Sequence, residues 1–101
     1  MSGTQITSDG LTARQRKILF RSWHRGTREM DLLMGGFADK FLAELSSDHL
    51  SDFEQLIEVP DWDLFAWITG TRETPNNYAT PVFSALQAFH LIGTDAARAY
   101  L

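Results

Sequence analysis

Thr27-Arg28-Glu29-Met30-Asp31-Leu32-Leu33-Met34-Gly35-Gly36-Phe37-Ala38-Asp39-Lys40-Phe41-Leu42-Ala43-Glu44-Leu45 is the stretch from which the fold class follows. Met30, Leu33, Met34, Phe37, Phe41 and Leu45 recur at spacings of three and four, which lays one apolar stripe along a helix. Thr27 stands where a side-chain oxygen can cap the first turn. Gly35 and Gly36 interrupt the run, and each glycine costs a helix about 1 kcal/mol relative to alanine. They therefore point to close helix packing or a bend.

Outward from this helix the same period continues. Upstream, a first helix is expected from Leu11 or Thr12, with Leu11, Ile18, Leu19 and Trp23 on one stripe and the arginines on the other, ended or bent at Gly26. Downstream, Ser51-Asp52-Phe53-Glu54 has the spacing of a capping box, so a short third helix is expected from there to about Val59, stopped by Pro60. Asp61 is placed to cap a fourth, very apolar helix with Trp62, Leu64, Phe65, Trp67 and Ile68, closed by Gly70. Thr71 to Asn77 reads as a loop. Thr80 before Pro81 then gives a cap and a first-turn proline for a fifth helix through Val82, Leu86 and Phe89 to about Ile92. No stretch sustains strand alternation, so the expected fold is all-α, a compact five-helix bundle with short connections. The expected organisation is a flexible N-terminal segment over 1–10, a helical domain over 11–92 and a C-terminal tail over 93–101.

The chain has 101 residues, 44% of them hydrophobic and 22% charged, which suits one soluble domain. Its Met1 to Gly10 stretch lacks the apolar segment of a secretory signal, no run reaches the roughly 18 residues of a membrane span, and there is no cysteine. A cytoplasmic monomer without membrane insertion is expected. The net charge of -4 is unevenly spread. Arg14, Arg16, Lys17, Arg21, Arg25 and Arg28 precede Glu29 with only Asp9 against them, whereas Glu29 to Asp63 holds ten acids against Lys40. A basic face and an acidic flank favour an oriented encounter with a charged protein.

Arg21-Ser22-Trp23-His24-Arg25-Gly26-Thr27-Arg28-Glu29-Met30-Asp31 concentrates charge around a glycine where two helical patterns meet. Glycine there lets a partner's backbone come close, Arg25 and Arg28 can fork onto carboxylates or carbonyls, and Glu29 can accept hydrogen bonds. The plain alternative is a surface ion pair between Arg25 and Glu29, worth under about 1 kcal/mol. Asp61 and Asp63 read first as a helix start with favourable dipole charge, and Trp62 as core or as a partly exposed anchor. His24, His49 and His90 have no second ligand at metal spacing, Gly35-Gly36 does not follow a strand, and no nucleophile motif is present. Neither a metal, a bound cofactor nor a catalytic residue is expected. The competing reading is a basic helix on nucleic acid, or another protein-interaction module. The acidic pI near 5.2 argues against the former.

Arg25-Gly26-Thr27-Arg28-Glu29 resembles the Arg-Gly-x-x-Glu signature of the SdhE family, the succinate dehydrogenase assembly factors or flavinators. Asp61-Trp62-Asp63-Leu64-Phe65-Ala66-Trp67 resembles its Asp-x-Asp-Leu-Phe-x-Trp signature, and the likeness runs from about Thr12 to Ile92. The resemblance implies a five-helix bundle that binds the flavoprotein subunit of succinate dehydrogenase, and often of fumarate reductase, and promotes covalent attachment of FAD to a histidine of that subunit. It is an assembly role, with no enzyme activity of its own. The functional arginine, glycine and glutamate of the family fall on Arg25, Gly26 and Glu29. His24 stands where many members have arginine, which makes the local charge depend on pH. Arg21, His24, Arg25, Gly26, Arg28, Glu29 and Asp31 are thus the expected partner-binding residues, with a second contact at Asp61, Trp62 and Asp63.

Overall fold

The computed structural model describes residues 10–101. Apart from Gly10, the expected N-terminal segment lies outside the described residues, as does Asp9. Six α-helices form: α1 (Ala13–Ser22), α2 (Arg28–Phe41), α3 (Ser47–Ile57), α4 (Asp61–Thr69), α5 (Pro81–Leu91) and α6 (Thr94–Arg98). Short 3-10 turns occupy Leu42–Glu44 and Asn76–Tyr78, and there is no strand among the described residues. The fold is all-α, as the periodicity requires. Two compact units make it up, one ending at Glu44 and the other running Leu45–Leu101.

In the first unit α1 packs on α2. Thr12 caps α1 in a full capping box: the Gln15 amide donates to Thr12 Oγ1 at 3.1 Å and the Thr12 amide to Gln15 Oε1 at 2.8 Å. This pairing satisfies two otherwise orphaned donors at the helix start. Ile18, Leu19 and Trp23 are buried on the inner stripe, while Arg16 and Lys17 face outward. The helix stops at Ser22, four residues before Gly26, where the sequence pattern suggests Gly26 itself as the breaker. The turn closes by shorter-range bonds, the His24 amide reaching Arg21 O at 3.3 Å. Along α2 the predicted stripe Met30, Leu33, Met34, Phe37 and Phe41 is buried throughout, and Leu45 beyond it is buried too.

In the second unit α5 packs against α3, α4 and α6. Thr80 caps α5 by accepting from the Phe83 amide at 3.2 Å, with Pro81 in the first turn. Gly70 ends α4 at φ +80°, and the Thr71 amide reaches back to Ala66 O at 2.9 Å, the bond that a left-handed glycine makes available. Gln87 Nε2 donates to Ile68 O at 3.1 Å and so ties α5 to the end of α4.

Four local expectations are corrected here. The third helix begins a turn earlier than the Ser51 capping box implies: Ser46 is the cap, accepting from the His49 amide at 3.1 Å, and Ser51 lies mid-helix with its hydroxyl on Ser47 O. Asp61 does not cap α4. Pro60, in extended geometry, precedes the first turn without a side-chain cap, and Asp61 and Asp63 sit inside that turn beside the positive helix end. The Thr71 to Asn77 loop tightens at its end into a 3-10 turn over Asn76–Tyr78, and Tyr78 packs on Trp67 with ring centroids 5.1 Å apart. Residues 94–98, read as tail, form α6 against α5 with Ala97 fully buried.

The two serines give a direct check on the start of α3. Ser46→Ala is expected to lower stability by about 1 kcal/mol, and Ser51→Ala by under about 0.5 kcal/mol, in urea unfolding followed by circular dichroism. The reverse order would place the cap at Ser51.

Candidate functional site

Residues 23–27 join α1 to α2 and make a corner held from both sides. At its far end Thr27 Oγ1 accepts from the Met30 amide at 3.2 Å, the cap anticipated from sequence. At its centre the Arg25 amide donates to Asp31 Oδ1 at 2.6 Å, so a side chain from the first turn of α2 holds the loop across six residues. A charge-assisted bond of this kind is shorter and stronger than one between neutral groups. Between the two, Gly26 adopts φ +133°, a backbone region that favours glycine.

Trp23 supplies the third fixing point. Its indole is buried and lies so close over α2 that a Cβ on Gly35 would meet three ring atoms at 2.2–2.7 Å. Its Nε1 donates to Asp39 Oδ1 at 3.2 Å. The mid-helix glycine expected to permit close packing therefore does so for a ring from the adjoining corner. Sequence reasoning put Trp23 on the core stripe but gave it no part in shaping the site, since neither partner is local to it.

The outer surface carries the residues singled out from sequence. His24, Gly26, Arg28 and Glu29 are exposed, while Arg21, Arg25 and Asp31 are half-buried. Arg28 and Glu29 open α2, so Glu29 sits where a carboxylate is favoured by the helix dipole. Arg25 is in the loop, so the helical i to i+4 ion pair with Glu29 does not describe the geometry. His24 stacks on Phe20 with ring centroids 3.9 Å apart and an interplanar angle of 16°, and its Nδ1 donates to Phe20 O at 2.6 Å. Phe20 and Leu32, not picked out from sequence, are 60% and 52% exposed. A shallow open concavity is lined by Trp23, His24, Gly26, Arg28, Asp31 and Leu32. The arrangement offers hydrogen-bonding charge around an accessible backbone, with apolar surface beside it. That suits protein recognition.

The second expected contact lies on the other unit. Asp61 and Asp63 are half-buried, Trp62 is 84% exposed, and Asp63 pairs with Arg72. Among the described residues no group of three or more His, Cys, Asp or Glu side chains is placed to hold a metal ion, and no helix is long and apolar enough to cross a membrane.

Comparison with known proteins adds to this geometry. The FAD assembly factor SdhE of Acetobacter pasteurianus is 38% identical over 81 residues, 80% of this chain and 74% of that protein. Succinate dehydrogenase assembly factor 2, mitochondrial, of Drosophila grimshawi is 34% identical over 90 residues, 87% of this chain and 60% of that protein. Succinate dehydrogenase assembly factor 2-B, mitochondrial, of Drosophila yakuba is 35% identical over 79 residues, 76% of this chain and 51% of that protein. The chain thus spans about three quarters of the bacterial relative and between half and three fifths of these mitochondrial ones. No solved structure matches. The family model described as flavinator of succinate dehydrogenase matches residues 16–90, from within α1 to near the end of α5 and so including both the Gly26 corner and α4, and the chain belongs to that family.

Proposed function

We propose that this protein binds the flavoprotein subunit of succinate dehydrogenase through the Gly26 corner and promotes covalent attachment of FAD to it. The observation that carries the reading is the corner itself: a positive-φ glycine, pinned by Thr27, Asp31 and Trp23, between the exposed side chains of His24, Arg28 and Glu29. A preorganised loop loses little entropy on docking, which favours recognition by a few oriented polar contacts. Arg28 can fork onto a carboxylate or a pair of carbonyls, Glu29 can accept from an arginine or a backbone amide, and Gly26 leaves room for the partner's chain. The bond-forming chemistry belongs to the flavin and the client histidine. What this chain supplies is orientation of the two, which can lower a barrier by several kcal/mol.

The same corner serves the flavoprotein of fumarate reductase as a second client. The protein acts in the cytoplasm as a monomer, through a transient interface with a polar rim.

Covalent flavin on the succinate dehydrogenase flavoprotein, read by in-gel fluorescence, tests the reading in cells lacking this protein. Covalent flavin is expected to be lost, restored by wild type and poorly restored by Glu29→Ala, a substitution at an exposed position that costs the fold little. Undiminished flavin in the deletion would overturn the role.

A further inference from the structure

α4 buries Leu64, Trp67 and Ile68 on one face and turns Trp62, Phe65 and Ala66 to the other. Trp62 is 84% exposed, the largest exposure among the large apolar side chains described. A scattered exposed apolar residue needs no explanation, but this one is not scattered. Phe65, one turn on, is half-buried and meets the exposed His90 of α5 edge-on, with centroids 6.0 Å apart. Trp62, Phe65 and His90 thus make an outward aromatic strip across α4 and α5. Trp62 stands in the first turn of α4, two residues after Pro60, so its backbone is ordered by the helix before any partner arrives.

The electrostatic setting of the strip is one-sided. Residues 45–101 carry eight Asp and Glu against Arg72 and Arg98, a net charge of -6, whereas residues 10–44 carry four acids against seven Arg and Lys, a net +3. Asp61 and Asp63 flank Trp62 directly, and Asp63 is already matched by Arg72. An anionic membrane surface would be repelled by this unit. Tryptophan is the aromatic ring that best binds a cation over its face, and arginine the cation most often found there.

We infer that the strip headed by Trp62 is a second docking surface, and that it receives an arginine- or lysine-bearing segment of the client flavoprotein. The inference rests on the proposed role for the choice of client, but not for the chemistry of the contact. Two patches of opposite charge then engage the client, the basic corner contributing Arg28 and Glu29 and the acidic unit contributing Trp62.

The test measures affinity of the full chain for the purified flavoprotein subunit. Trp62→Ala is expected to weaken binding by about 30-fold, the loss that removal of a hot-spot anchor brings, and Trp62→Phe by less. A photoreactive benzoylphenylalanine in place of Trp62 is expected to tether a client peptide that contains arginine or lysine. Unchanged affinity of Trp62→Ala, alongside lost binding by Glu29→Ala, would overturn the second surface and leave the corner standing. Tethering to a second copy of this chain, or to a client segment without basic residues, would overturn it equally. A wild-type protein with no affinity for the subunit would overturn both the inference and the role on which it rests.

Discussion

Gly26→Arg is expected to abolish capture of the succinate dehydrogenase flavoprotein while leaving the protein folded. At φ +133° any side chain strains the backbone, by about 1–3 kcal/mol. That is a fraction of the roughly 5–15 kcal/mol that holds a domain together, and the corner keeps its three other ties, at Thr27, Asp31 and Trp23. The fold should therefore survive with a lowered melting temperature. Docking should not, because an arginine would project from an exposed position where the proposed interface brings the client's backbone close. Gly26→Ala separates the two effects, since it brings similar backbone strain with only a methyl group. Equal loss of stability in both variants is expected, with binding reduced more than 100-fold in Gly26→Arg, a cost of about 3 kcal/mol at the interface, and far less in Gly26→Ala. Pull-down and isothermal titration against the subunit, beside thermal melts, would read both quantities. Wild-type binding by Gly26→Arg would remove the corner from the interface.

Local chemistry explains which parts of this fold could be read ahead of the structure. The caps at Thr27 and Thr80, the left-handed stop at Gly70 and the stripe from Met30 to Leu45 are each set by residues within a turn or so of one another, and each stands where the pattern puts it. The start of α3 was ambiguous for the same local reason. Ser46, Ser47 and Ser51 all offer a hydroxyl, and the Ser51 to Glu54 spacing mimics a cap that the earlier serine already provides. α6 has five residues, too few for a period to show.

The candidate site was legible in its outer residues and opaque in its supports. His24, Arg25, Gly26, Arg28 and Glu29 stand out by charge and by the glycine among them. The bond from the Arg25 amide to Asp31 and the seat of Trp23 on Gly35 depend on two helices coming together, which no short-range pattern encodes. Nor does periodicity say that Trp62 would be left outside. In a helix apolar nearly all round, the face that turns inward is chosen by packing.

The seat of Trp23 on Gly35 yields the largest expected change in stability. Trp23→Ala removes a buried indole and leaves Asp39 without the bond from Nε1, and losses of about 3–5 kcal/mol follow removal of such a side chain. For a chain of this size that corresponds to a fall in melting temperature of roughly 15–30 °C. Gly35→Ala should also destabilise, by about 1–3 kcal/mol, although alanine is the better helix former, because the new methyl would strike a rigid ring and not the end of a flexible chain. The discriminating result is a change of sign. In a Trp23→Leu background the smaller side chain leaves room above α2, and Gly35→Ala should then stabilise by up to about 1 kcal/mol, the ordinary gain of alanine over glycine in a helix. A double-mutant cycle by urea unfolding reads this coupling directly, whatever each single variant costs. If Gly35→Ala destabilised equally in both backgrounds, the indole would not be what makes glycine necessary there. If the sign reverses, the corner's shape is set by the buried indole, and Trp23→Leu should blunt flavinylation while leaving Arg28 and Glu29 in place.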